Sequence, residues 1–234
     1  MPDKRLIVAL DVPTIADARN LVETTEAAVS FYKIGHELLF GGGVELARVL
    51  TGEGKSVFLD MKFLDISNTV EKATANVARL GVDLLTVHGH DRKTLTAAVA
   101  GRGSSNLKLL SVTVMTHLTA ADLAEQGIGE SPADLVVRRA RMARDAGFDG
   151  VIASGEEAAR IRAATDPDFL IVTPGIRPSG DAKGDQARVM TPAAAIAAGA
   201  SHLVVGRPIT AAADPLAAAR AIQAEIAGIS GGSG

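Results

Sequence analysis

The sequence predicts an α/β fold of the (β/α)8 barrel type, one domain over residues 1–228. Three observations carry this. Eight short runs rich in Val, Ile and Leu recur along the 234 residues, and Ala-rich segments with helical periodicity separate them. The first run closes as Ala-Leu-Asp-Val-Pro-Thr (9–14), without the Gly-rich turn that opens a doubly wound dinucleotide-binding sheet. Near-continuous apolar strands joined by helices belong to parallel sheets covered on both faces. Repeated at roughly 25 to 30 residues, eight such units fill a barrel of ~250 residues.

In order, the predicted strands are 5–11 (RLIVALD), 30–35 (SFYKIG), 56–62 (SVFLDMK), 84–89 (LLTVHG), 108–115 (KLLSVTVM), 150–154 (GVIAS), 169–175 (FLIVTPG) and 202–207 (HLVVGR). The helices show best in 131–147, where Leu135, Ala140 and Met142 fall on one apolar stripe and Gly147 supplies the stop. Gly41, Gly42 and Gly43 shape a helix entry, and the last Ala-rich helix is barrel coat. Residues 229–234, Gly/Ser-rich, read as a flexible tail.

Composition narrows the function. Hydrophobic residues make up 47% and aromatics 3%, which suits a large aliphatic core. The absence of cysteine excludes disulfides, zinc-thiolate sites and thiol nucleophiles, and a cytoplasmic protein is the simplest reading. A formal charge of -3 without basic runs gives no footprint for a nucleic acid polymer, and no apolar segment reaches the ~20 residues of a membrane span. The expected partner is a small molecule.

In such barrels the chemistry sits at the carboxyl ends of the strands. Those ends carry Asp11, Lys33, Asp60 with Lys62, His88, the stretch Thr113 to His117, Ser154, Thr173 to Arg177, and Gly206 with Arg207. On strand 3, Asp60 and Lys62 share a face, since residues i and i+2 point to the same side, and Phe58 continues that face into the core. Alone, this is also what a solvated surface ion pair looks like. Together with Lys33 and Asp65, it makes a set of alternating sign that is costly to desolvate, better evidence of function than of stability. If the four converge, a fixed carboxylate raises the energy of a bound substrate carboxylate, and a neighbouring ammonium can protonate the carbanion left when carbon dioxide departs. At the other end, the Gly and Arg of TPGIRPSG and VVGRPI are what phosphate binding after strands 7 and 8 requires, through Arg177 and Arg207. Between them, 179–189 (SGDAKGDQARV) reads as a mobile lid.

The motifs LDMKFLDISNTV, YKIG, VTVMTH, TPGIRP, GDQARVMTP and VVGRPI together resemble the orotidine 5′-phosphate decarboxylase family, from Asp11 to Arg207 in the family's order. The resemblance implies a homodimer that converts orotidine 5′-monophosphate to uridine 5′-monophosphate and carbon dioxide without cofactor or metal. It implies that Lys62 donates the proton to C6 and that Asp60 faces the substrate carboxylate. Lys33 and Asp11 would hold the ribose hydroxyls, with Lys33 orienting Asp60. Asp65 and Thr69 would reach into the neighbouring subunit's site, and Thr116 would contact the pyrimidine. Gln186, Gly206 and Arg207 would bind phosphate, with Arg177 beside the closing loop. Many family members carry His and Pro where this chain has Leu64 and Ser67; Ser67 is expected to cap the next helix instead.

Related barrels of the 3-keto-L-gulonate 6-phosphate decarboxylase and hexulose phosphate synthase type share Asp-x-Lys-x-x-Asp but hold magnesium through a glutamate on strand 2, where this chain has Lys33. His88 and His90 have no carboxylate cluster on another strand to complete a metal site. A Schiff-base aldolase would need Lys62 to deprotonate readily, which two flanking carboxylates oppose. A non-catalytic nucleotide-binding barrel would keep Arg207 but has no need of four alternating charges.

Overall fold

The computed structural model describes residues 2–178 and 190–230. Eight parallel strands close on themselves in sequence order: β1 (Leu6–Ala9), β2 (Phe31–Ile34), β3 (Ser56–Phe63), β4 (Leu84–His88), β5 (Lys108–Val112), β6 (Gly150–Ile152), β7 (Leu170–Thr173) and β8 (His202–Val205). The last returns to the first through Leu6↔Leu203 and Val8↔Val205. Each lies within its predicted run, except that β3 continues one residue further, to Phe63.

The helices between them are α1 (Ile15–Thr25), α2 (His36–Leu38), α3 (Val44–Gly52), α4 (Ser67–Ala78), α5 (Arg92–Arg102), α6 (Ala120–Glu125), α7 (Pro132–Asp145), α8 (Gly155–Ala164), α9 (Pro192–Ala197), α10 (Arg207–Thr210) and α11 (Pro215–Ser230). Short polar side chains start many of them. Thr14, Asp91, Ser131 and Thr191 each accept a first-turn N–H, which satisfies one of the donors a helix start leaves open. At α7 the predicted stop appears as Gly147 with φ 91°, and Phe148 N–H bonds back to Ala143 O. Gly41 to Gly43 lie at a kink, Leu39–Gly43, between α2 and α3; Gly42 takes φ 110° there, which favours glycine. The last helix runs through Ser230, past the start of the expected tail; 231–234 lie outside the described residues.

One expectation is corrected at the start of α4. Ser67 does not cap it: the cap position is Ile66, with no side-chain cap bond, and Ser67 is already the first helical residue. Asp65 accepts the N–H of Ile66 at 2.6 Å instead.

Two apolar clusters divide the core. The larger fills the space between sheet and helices. The smaller, Ile7, Ala9, Phe31, Phe58, Leu84, Leu110, Val172 and Val204, takes its residues from one face of seven of the strands and fills the barrel's interior. Along β3, the interior face runs from Phe58 to Asp60, as alternation predicts, so the apolar plug ends where the charges begin.

Candidate active site

A cavity of about 470 Å³ opens at the carboxyl ends of the strands, within the usual range for small-ligand sites. Ala9, Phe58, Val112, Ile152 and Val204 make its apolar lining. Asp11, Lys33, Asp60, Lys62, Thr116, Arg177, Gly206 and Arg207 all border it, so eight of the sequence-predicted site residues meet in one place.

The charged wall is a chain of ion pairs across three strands. Asp11, just after β1, lies 2.8 Å from Lys33 Nζ through its Oδ1. Lys33, on β2 and 6% exposed, is also 3.6 Å from Asp60 Oδ2. Asp60 Oδ1 is 2.8 Å from Lys62 Nζ. Gly35 leaves room for this chain, because a Cβ there would fall 2.9 Å from both Asp11 Oδ1 and Lys33 Nζ. Burial alone would push the Asp60 carboxyl towards protonation. The charges of Lys33 and Lys62, with hydrogen bonds from Lys62 and Thr86, outweigh it and hold the pKa below its ordinary value. Asp60 is therefore a fixed anion in a nearly dry wall.

A bulge in β3 sets this geometry. The strand pairs with β4 at Phe58↔Leu84 and Leu59↔Leu85, then resumes only at Phe63↔Val87. Asp60, Met61 and Lys62 thus stand against Thr86 alone. Lys62 takes φ 49°, alone among the described non-glycine residues in the left-handed region, a conformation that costs ~1 to 3 kcal/mol. Two side chains hold the bulge. Thr86 Oγ1 accepts the Lys62 N–H at 2.9 Å and donates to Asp60 Oδ1 at 2.9 Å. His36 Nε2, donating to a carbonyl that can only accept, bonds Met61 O at 2.9 Å. Sequence reasoning missed Thr86; the polar interruption of the apolar run LLTVHG, on the inward alternation with Leu84, was its only signal.

At the opposite wall, Gly206 follows β8 and Arg207 opens α10, while Arg177 follows β7 with its N–H bonded to Met190 O at 3.0 Å. Thr116 sits on the loop after β5, whose start is tied down by Thr113 Oγ1 donating to Ile152 O at 2.8 Å and by buried Arg139 donating to Thr113 O. Gln186 and the expected lid, 179–189, lie outside the described residues.

Asp65 and Thr69 do not join the other charges. Both are exposed, on the loop after β3 and the first turn of α4, and neither borders the cavity. The His88 and His90 rings are tilted 41° to one another with centroids 4.6 Å apart; burial first, then the neighbouring cationic groups, lower the His88 pKa to about 4. Among the described residues no group of three or more potential ligands is placed to hold a metal ion. His36 braces the bulge, and His202 packs edge-on against Phe31 at 6.0 Å. Among the described residues no helix is long and apolar enough to cross a membrane.

The chain is 54% identical over 226 residues to the orotidine 5′-phosphate decarboxylase of Afipia carboxidovorans, covering 97% of this chain and 96% of that one. It is 56% identical over 227 residues to the enzyme of that name from Caulobacter sp. strain K31, covering 97% and 99%. Among solved structures, the orotidine 5′-phosphate decarboxylase of Lactobacillus acidophilus superposes with a TM-score of 0.83 at 36% identity, covering 96% of this chain and 99% of that one. An uncharacterized conserved protein of Geobacillus kaustophilus superposes with a TM-score of 0.81 at 32% identity, covering 94% and 99%. The family model that matches spans residues 4–222. With the closed barrel and the charged wall at its mouth, the chain belongs to the orotidine 5′-phosphate decarboxylase / HUMPS family.

Proposed function

We propose that the chain decarboxylates orotidine 5′-monophosphate to uridine 5′-monophosphate, the closing step of uridylate synthesis, using its own side chains alone. The observation that carries this is the Asp60 carboxylate, held ionised against burial, with the Lys62 ammonium 2.8 Å away at the cavity wall. A substrate carboxylate placed beside Asp60 meets a fixed negative charge, which raises the bound ground state. As carbon dioxide leaves, the bonding pair stays on C6, and the repulsion disappears. Lys62 then gives its proton to C6 and regains one from solvent, so one substrate and one proton become product and carbon dioxide.

The other residues divide by location. Asp11 and Lys33 take the ribose hydroxyls, Thr116 the pyrimidine edge, and Gly206 and Arg207 the phosphate, with Arg177 completing that end, a task the resemblance to the family also gives to Gln186. Binding energy from the phosphate, remote from C6, goes into positioning and water exclusion at the reacting carbon. The magnesium-dependent reading is disfavoured by Lys33, a cation on β2 where those barrels carry a glutamate ligand.

The working unit is a homodimer. Leu64 and Ile66, 52% and 72% exposed, flank Asp65, and Phe40 is 91% exposed: three large apolar side chains that a second copy would cover. Asp65 and Thr69, turned away from their own cavity, then enter the partner's. The test is turnover of orotidine 5′-monophosphate, followed by loss of the orotate absorbance, with and without excess chelator. Turnover insensitive to chelator is expected. No turnover would refute the reading, and abolition by chelator would refute its metal-free part. Lys62→Ala should lose turnover while still binding uridine 5′-monophosphate; a fully active Lys62→Ala would remove Lys62 as proton donor.

A further inference from the structure

We infer that Thr86 is a positioning residue for the reaction: its one hydroxyl fixes both the carboxylate of Asp60 and the left-handed backbone of Lys62. Thr86 is fully buried in the middle of β4 and faces the bulge in which three residues of β3 stand against it. A hydroxyl has one proton to donate and lone pairs to accept with. Here the proton goes to Asp60 Oδ1 at 2.9 Å, and a lone pair takes the Lys62 N–H at 2.9 Å. The same Asp60 oxygen faces Lys62 Nζ at 2.8 Å. A ring results: Thr86 hydroxyl, Asp60 carboxylate, Lys62 ammonium and the Lys62 backbone N–H back to Thr86.

The ring answers a question that the bulge raises. Lys is a poor residue for positive φ, and the left-handed conformation persists only where surrounding contacts over-determine it. In a regular ladder the Lys62 N–H would bond a carbonyl of β4. The bulge removes that partner, and Thr86 supplies a substitute without which a nearly buried N–H would go unsatisfied. Releasing this bond lets Lys62 relax towards ordinary strand dihedrals, which swings its side chain relative to the strand. It also frees Asp60 to rotate about its Cβ–Cγ bond. Either movement misplaces the reacting pair by an ångström or so while leaving the phosphate wall, on β7 and β8, untouched. The loss should therefore fall on kcat.

Thr86 acts only through Lys62 and Asp60, so its role rests on the reading of those two residues proposed above. The experiment compares wild type, Thr86→Val, Thr86→Ser and Lys62→Ala, all as full chains, by steady-state kinetics and by binding of uridine 5′-monophosphate. Valine keeps the shape and removes the hydroxyl; serine keeps the hydroxyl. Thr86→Val is expected to lower kcat by about 100-fold, the scale of an ångström misplacement, with KM and product binding within about threefold of wild type. Thr86→Ser is expected to recover most of that loss. If Thr86→Val does not fold, Thr86→Cys takes its place: a thiol is a weak donor and acceptor, and kcat should fall well below the serine variant with product binding retained. A valine or cysteine variant as fast as wild type overturns the inference. So does a loss that serine does not recover, or one that appears in KM alone. Lys62→Ala separates the two layers: if it stays active, the proton-donor reading falls, whereas an inactive Lys62→Ala beside wild-type Thr86 variants removes only the role of Thr86.

Discussion

Replacing Lys33 by methionine tests whether the cation on β2 holds Asp60 ionised. Methionine keeps most of the apolar stem and removes the charge, so the loss should be electrostatic rather than steric. Lys33 Nζ lies 3.6 Å from Asp60 Oδ2, and the two side chains are 8% and 15% exposed, too dry for solvent to screen the pair away. At an effective dielectric of about 20, two unit charges at that distance attract by about 5 kcal/mol gross. Removing one partner of a buried pair commonly costs about 3 to 5 kcal/mol. Asp60 keeps Lys62 and Thr86 and can take up a proton, which caps the loss near the low end, about 3 kcal/mol. For a chain of this size, at roughly 2 to 4 °C per kcal/mol, that is a fall in melting temperature of about 6 to 12 °C at pH 7. The sign with pH follows from linkage. The Asp60 pKa is lowered from 3.8 in the folded chain, so its ionised form contributes stability above that value and loses it as pH falls through the lower folded value. Without Lys33 the folded value rises, so the gap between variant and wild type should be full at pH 7 and narrow as the pH falls through the variant's raised value towards the wild type's lowered one. The assay is thermal unfolding by circular dichroism at pH 7 and near pH 3. A melting temperature within about 2 °C of wild type at pH 7, or the same fall at both pH values, would refute the account.

Three further substitutions separate the ends of the site. Arg207→Ala should weaken uridine 5′-monophosphate binding by about 10- to 100-fold, the value of a charge-assisted contact, and leave uridine binding unchanged in calorimetry; equal losses for both ligands would remove Arg207 from the phosphate site. Gly35→Ala places a methyl 2.9 Å from Asp11 Oδ1 and Lys33 Nζ, so these flexible ends must part. The expected kinetic result is a several-fold rise in KM at near-constant melting temperature, and an unchanged KM would show that their contact does not serve the substrate. Ile66→Asp puts a charge at the 72% exposed apolar position next to Asp65 and should weaken self-association about 30- to 100-fold in sedimentation, with activity falling alongside. A variant that remains a fully active dimer would place the interface elsewhere.

The barrel was legible because a parallel strand covered on both faces is apolar at nearly every position, and that signal repeats eight times. The strand ends were less legible, for a physical reason. Beyond β1, Leu10 is fully buried, and beyond β5, Thr113 and Val114 are buried too, so the apolar pattern continues into the rim after the strand itself has ended. Burial, rather than ladder pairing, is what the sequence reports there. Helix starts show the opposite error. Ser67 has the right chemistry for a cap and the wrong register, because Asp65 turns the chain one residue earlier through the Ile66 N–H.

At the site, residue type carried the chemistry and alternation carried the placement, and the two part company within β3. Alternation correctly set Phe58 and Asp60 on the inner face. It also put Lys62 beside Asp60, and the structure does bring them to 2.8 Å, yet not through regular strand geometry. The bulge inserts residues opposite Thr86, and Lys62 returns to the cavity only because its backbone turns left-handed. No residue type in LDMKFLD announces positive φ: there is no glycine or asparagine, and the cost is met by partners on β4 and α2, Thr86 and His36, that lie far away in sequence. Asp65 does not depend on the bulge. Even along an unbroken strand it would fall on the face opposite Asp60 and Lys62, and past Phe63 the chain leaves the barrel and exposes it. The bulge thus joins Asp60 and Lys62 to Lys33 in the cavity, three of the four charges, and leaves Asp65 facing outward, where the proposed dimer would give it a second copy's cavity to enter.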